Sequence, residues 1–190
     1  MSNNSRQTQA QIDPMFTDRW SPRSFNGELL ESWEIESLLE AARWAPSCYN
    51  EQPWSFAFTK SKEDIKLFSE ALVELNQQWA PKAGMLMFLI YKKDFEQTGK
   101  PNNWAYFDAG AAWMSLAFQA RKIGLYTHGM AGFDRNKAAE ILKVDLSTHD
   151  IAEAIAVGHI DSKDKLPDKF IDMETPNDRK DLDKMIWNWK

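Results

Sequence analysis

The chain has 190 residues and a net charge of −5 at pH 7, with 43% hydrophobic and 27% charged residues. That length suits a single domain able to bury its own core, and that balance excludes global disorder. The acidic excess removes the electrostatic reason to expect a nucleic-acid or anionic-membrane surface.

Residues 1–14 are polar and aperiodic, which predicts a flexible tail ahead of one domain over 15–190. From Ser32 to Trp44 a helix is expected. Ile35, Leu38, Leu39 and Ala42 recur at helical spacing, Ser32 is placed for an N-cap, and Pro46 stops the run. Large and small residues alternate over Trp54–Thr59, as in a strand. Ser61 with Asp64 opens a second helix carrying Ile65, Phe68, Leu72 and Leu75. Met85–Tyr91 is continuously apolar, the pattern of a strand covered on both faces, and Lys92–Asn103 reads as a loop or lid.

A long helix follows from Trp104 to Ile123, with small residues at Ala109–Ala112 and Gly124 as its terminator. The run 124–134 reads as a glycine-rich connection, Asp134 caps a helix to about Leu142, and Ile151–Ile160 holds another strand. Helices alternate with strands, so one layered α+β or α/β domain is expected.

Many usual signatures are missing. The longest apolar run falls far short of the ~20 residues that span a bilayer. The N-terminus has no secretory character, so a cytoplasmic protein is the default expectation. With Cys48 alone, no intramolecular disulfide can form. His128, His149 and His159 lack metal-ligand spacing, so no metal site is expected. There is no nucleophile elbow, no P-loop and no dinucleotide fingerprint.

Three segments carry chemistry. Arg19-Trp20-Ser21-Pro22-Arg23 puts two guanidiniums and a hydroxyl on alternate positions, so an extended backbone would aim all three at one anion. On composition alone the same run reads as a solvated turn with surface ion pairs. Ala45–Trp54 offers Ser47, Asn50 and Gln52 beside aromatic bodies, suited to a flat heteroaromatic ligand; its alternative is an ordinary turn. In Gly124–Asp134, three glycines allow backbone to approach a ligand closely, or simply make a flexible link.

Taken in order, these segments resemble the nitroreductase family of flavin-dependent oxidoreductases, from about Phe16 to about Lys184. Arg19–Arg23 resembles the family's Arg-x-Ser-x-Arg/Lys opening, and Ala45–Trp54 its Ala-Pro-Ser-x-x-Asn-x-Gln-Pro-Trp block. Asp108–Ala112 with Gly124-Leu125 resembles its central helix, Gly129–Asp134 its flavin-ring loop, and Asp178–Leu182 its C-terminal basic pair.

The resemblance implies an α+β fold with a mixed central sheet flanked by helices, in an intertwined homodimer with FMN at the interface. Arg19, Ser21 and Arg179 would hold the phosphate, with Lys180 as helper and Trp20 beside them, and Arg23 would sit near the flavin N1 and O2 edge. Pro46, Ser47 and Cys48 would reach in from the partner subunit, on a loop shaped by Asn50 and Gln52. Met130, Ala131 and Gly132 would pass beside the ring, with the Ala131 N–H near N5.

No side chain is then required as catalyst, because the hydride chemistry belongs to the cofactor. The implied activity is ping-pong transfer from NADH or NADPH to nitroaromatic, quinone or similar conjugated acceptors. The alternatives are an FMN-binding storage or regulatory protein, and a relative spending reduced flavin on oxygen-dependent cleavage or dehalogenation.

Overall fold

A computed structural model of the chain describes residues 6–189. Its centre is a four-stranded sheet built from β1 (Trp54–Phe58), β2 (Met85–Lys92), β3 (Tyr126–Met130) and β4 (His149–Gly158), in the order β1-β2-β4-β3. All three pairings are antiparallel. The α+β reading therefore holds, while the mixed sheet implied by the resemblance has no parallel pair among the described residues.

β2 is the spine, and Met85–Ile90 are all buried. Alternate residues of β2 and β4 feed two cores. On one face Leu86, Phe88, Ala154 and Ala156 pack with Trp20, Trp79 and Phe170. On the other, Met87, Leu89, Ile155 and Val157 meet the helices α2 (Ser32–Arg43) and α5 (Ala105–Lys122). Of the small residues expected to permit close approach, Ala109 and Ala112 are fully buried there, while Gly110 is exposed and Ala111 half-buried.

The remaining helices are short: α1 (Met15–Asp18), α3 (Lys62–Ser69), α4 (Glu74–Gln77), α6 (Arg135–Leu142) and α7 (Asp168–Ile171). Asp134 caps α6 by accepting from the Lys137 N–H, as expected. Gly124 terminates α5 at φ +89°, a conformation that costs glycine little.

Four details differ from the sequence reading. Glu31, not Ser32, is the N-cap of α2, and its N–H donates to the Glu34 carboxylate. The second helix ends at Ser69, because Leu72 bridges to Phe133 and Leu75 falls in the separate α4. Lys92 still belongs to β2, and the following loop is pinched by a bridge between Asp94 and Pro101. The supposed glycine-rich connection contains β3, whose five residues pair with Ala154–Gly158 of β4; a ready ladder partner overrides the weak strand propensity of glycine.

The first five residues of the expected tail lie outside the described residues. From Arg6 onward the segment is tied down. Arg6 donates to the carbonyls of Thr17 and Arg19, while Gln9 bonds Asp181 and the Leu182 N–H.

Candidate functional site

The stretch Arg19–Ser24 is held open by contacts from distant parts of the chain. Glu174, nearly fully buried, accepts from the N–H groups of Arg23 and Ser24 at 2.7 and 2.8 Å. The Ser24 hydroxyl donates to the Ser162 carbonyl, and Phe25 bridges to Ile160 beyond β4. One carboxylate thus joins a segment near the start of the chain to one 150 positions later. Together they enclose a pocket of about 550 Å³.

Arg19, Trp20, Ser21 and Arg23 line this pocket together with Asn177 and Arg179. Arg6 and His128 face it as well, as do the carboxylates of Asp172 and Asp178. Four guanidiniums against two lining carboxylates give the pocket of an acidic protein a local positive excess, which favours an anion. Loss of water around Arg19 and the nearby charges of Arg179 and Arg6 all lower its pKa. Arg19 Nε is buried with no hydrogen-bond partner among the described residues, as is Trp20 Nε1. Unsatisfied buried donors are uncommon in folded proteins, and an acceptor bound in the pocket would satisfy these two.

Arg23 differs from its neighbours. Its guanidinium lies 4.0 Å from Glu174 Oε2 and over the ring of Phe170, so its charge is partly balanced from within the chain. His128, on β3, places Nδ1 2.9 Å from the Pro22 carbonyl. A carbonyl only accepts, so Nδ1 carries the proton. Loss of water lowers the His128 pKa to about 4, against the opposing effect of that hydrogen bond, and the ring is neutral at pH 7. It packs on Trp79, with centroids 4.6 Å apart.

β3 ends at Met130, and Ala131 and Gly132 follow it, so Ala131 is three residues, roughly 10 Å at strand spacing, beyond His128. Met130 is buried in the core and Ala131 is exposed. Gly132 is clamped: its carbonyl accepts from the Val73 N–H and from Asn76 Nδ2, and a Cβ there would press on both side chains. These three residues do not line the arginine pocket, and neither does Lys180.

The block Pro46–Gln52 sits elsewhere, at the end of α2 and against the start of α5. The Cys48 N–H donates to the Asp108 carboxylate at 3.0 Å, and the Gln52 N–H to the Ser47 hydroxyl. Tyr49, Asn50 and Gln52 all have positive φ, between 50 and 57°. Three left-handed non-glycine residues in one loop store strain of a kind that collects at functional sites. None of Pro46, Ser47, Cys48, Asn50 and Gln52 reaches this chain's own arginine pocket.

Arg19, Trp20, Ser21, Arg23 and Arg179, all expected from the sequence to bind one cofactor, line a single pocket. Sequence reasoning missed Arg6, His128 and Glu174. Arg6 stands alone in a polar, aperiodic run, and Glu174 in a mixed-charge tail, so neither carries a local signal. No group of three or more His, Cys, Asp or Glu among the described residues could hold a metal ion.

The family model of the nitroreductase family matches residues 16–87 and 67–159. The chain belongs to the nitroreductase family. A solved structure described as an oxidoreductase containing FMN is 37% identical, covers 100% of this chain and 98% of its own, and superposes with a TM-score of 0.93. Among curated proteins, one of Archaeoglobus fulgidus named for NADH dehydrogenase/NAD(P)H nitroreductase activity is 28% identical over 129 residues, 68% of this chain and 72% of that one. An oxygen-insensitive NADPH nitroreductase of Helicobacter pylori is 32% identical over 83 residues, which span 43% of this chain and 39% of its length.

Proposed function

We propose that the protein is an FMN-dependent NAD(P)H oxidoreductase, and that the arginine pocket holds the FMN phosphate. The observation that carries this reading is the meeting of Arg19 and Arg179, from opposite ends of the chain, around one pocket where Arg19 Nε lacks an acceptor. A phosphate monoester carries close to two charges and three acceptor oxygens, which suits several guanidiniums and the Ser21 hydroxyl. A mixed set of neutral donors would bind it far less well.

Each residue then has a physical task. Arg19 and Arg179 neutralise the phosphate, and Ser21 orients it, with Lys180 adding charge from the same segment. Arg23, restrained by Glu174, offers a donor near the flavin N1 and O2 edge, where negative charge gathers on reduction. The neutral imidazole of His128 and the indole of Trp20 line the same pocket and would contact the uncharged part of the cofactor. The residues just after β3, Ala131 and Gly132, would supply backbone N–H groups for the ring edge, with Gly132 held in place by Asn76.

When bound, FMN accepts a hydride from NADH or NADPH at N5 and passes reducing equivalents to a second substrate, so no side-chain acid or base is demanded. One pocket serves both substrates in turn, a ping-pong order. The acceptors proposed are nitroaromatics, quinones and similar conjugated compounds.

The ring face is completed by a second copy of the chain, whose Pro46, Ser47 and Cys48 reach in. Two features support this assembly. The loop carrying Pro46, Ser47 and Cys48 has positive φ at Tyr49, Asn50 and Gln52, and none of its residues lines this chain's own pocket. Several aromatic side chains are also exposed, among them Trp104 just ahead of α5, Phe107 on it, and Trp187 and Trp189 near the C-terminus. Exposed apolar area of that extent marks an interaction surface. Among the described residues no helix is long and apolar enough to cross a membrane, and the proposed location is cytoplasmic.

The test is direct. Purified protein should be yellow, release FMN on heating, and oxidise NADH or NADPH steadily with menadione or nitrofurazone. Stoichiometric flavin without turnover would make the protein an FMN binder and not an enzyme. Protein that neither contains nor takes up FMN would end the proposal.

A further inference from the structure

We propose that Arg6, carried by the segment ahead of α1, is itself a ligand of the phosphate, making that segment part of the binding site. The inference rests on the phosphate reading of the pocket given above. It adds a residue that lies outside every motif of the chain.

Three observations support it. First, Arg6 lines the same pocket as Arg19 and Arg179. Second, its position there is built. Arg6 NH1 donates to the Thr17 carbonyl at 3.0 Å and to the Arg19 carbonyl at 2.9 Å, so its guanidinium is fixed beside the backbone of the pocket's own arginine. Third, the segment is clasped at its other end. The Gln9 side chain accepts from the Leu182 N–H at 2.7 Å and donates to the Asp181 carboxylate at 3.0 Å, three and two positions beyond Arg179. The N-terminal segment therefore crosses from Arg19 to the C-terminal arm.

The energetics agree with a dianion. Arg6, Arg19 and Arg179 each carry a full positive charge, and the first two have their pKa lowered by loss of water and by the charge of Arg179. Asp178 opposes this for Arg6, and Asp172 also faces the pocket. A third cation brought into such a cluster is unfavourable in isolation and favourable once a doubly charged group sits between them. A terminal phosphate monoester meets that need. A phosphodiester, with one charge and a second substituent, meets it poorly.

The experiment compares apoprotein binding of FMN and of riboflavin, which lacks the phosphate, by flavin fluorescence. It uses the full chain as wild type, Arg6→Ala, Arg6→Lys and Arg19→Ala, with inorganic phosphate as competitor. Arg6→Ala should lose roughly ten- to a hundredfold in FMN affinity, the usual size for one charged hydrogen bond. Riboflavin affinity should stay unchanged, phosphate should compete less well, and Arg6→Lys should recover part of the loss. Equal losses for FMN and riboflavin would mean that Arg6 only props the Thr17 and Arg19 backbone, and would overturn the inference. So would wild-type FMN affinity in Arg6→Ala while Arg19→Ala is impaired, leaving the phosphate reading intact. No preference for FMN over riboflavin in the wild type would instead remove the phosphate reading, and Arg6 with it.

Discussion

Glu153→Gln separates two opposed titrations within the sheet. Glu153, on β4, is only partly exposed, and its carboxyl lies directly over Gly129 of β3, where a Cβ would collide with it. Loss of water raises its pKa from 4.5 to about 7, with no charged neighbour contributing. The folded state therefore holds this proton more tightly than the unfolded chain does. Its contribution to stability is full below pH 4.5 and is lost as pH rises through 7. The interval corresponds to about 3 kcal/mol, and allowing for residual contact with water leaves roughly 1–3 kcal/mol.

His128 acts in the other sense. Its pKa is lowered from 6.5 to about 4, so its contribution is full above pH 6.5 and is lost as pH falls towards 4. Between pH 4.5 and 6.5 the two nearly cancel, and the wild-type apoprotein should show an almost level stability there. Glu153→Gln keeps the shape of the protonated side chain and removes one of the two. Urea unfolding of apoprotein, followed by tryptophan fluorescence at fixed protein concentration, should give equal stability for both proteins at pH 4.5. At pH 8 the variant should be more stable by roughly 1–3 kcal/mol. Identical stability of the two proteins at pH 8 as well as at pH 4.5 would refute the reasoning.

Other expectations follow from single contacts. Arg19→Ala should weaken FMN binding by roughly 1.5–3 kcal/mol in a flavin titration, and unchanged affinity would show the phosphate to lie elsewhere. Glu174→Ala removes the acceptor of the Arg23 and Ser24 N–H groups, so thermal or urea unfolding should reveal a loss of about 2–5 kcal/mol; a loss below about 1 kcal/mol would mean that water replaces it freely. Gly84→Ala drives a Cβ into the Glu28 carbonyl and Leu30, and because the first is backbone it should cost about 2–4 kcal/mol, against near-neutrality if residues 28–30 can shift.

Much of this architecture is legible in the amino-acid order. β2 announces itself because both of its faces are covered, so Met85–Ile90 has no polar interruption. α5 and α6 carry their own stop and start signals in Gly124 and Asp134. What local pattern does not reveal depends on partners distant in the chain. β3 contains Gly129 and follows Gly124, and only the ladder offered by Ala154–Gly158 makes it a strand. The helical spacing of Phe68, Leu72 and Leu75 continues past the point where Leu72 bridges to Phe133, so tertiary contact breaks a helix that periodicity extends.

The pocket divides in the same way. Arg19, Ser21 and Arg23 are visible as a motif because they alternate on one extended segment. Arg6 and Glu174 acquire meaning only when the two ends of the chain are folded together, through bonds such as Gln9 to Asp181 and Glu174 to Ser24. The loop at Ser47–Gln52 is legible as unusual, yet its strained backbone contributes nothing to the pocket of its own chain.

The most direct measurement is a crystal structure of the protein grown with FMN. The account predicts phosphate oxygens at about 2.7–3.2 Å from the guanidiniums of both Arg19 and Arg179. A phosphate bound away from that pair, or a flavin seated with its ring and not its phosphate in the arginine pocket, would contradict it.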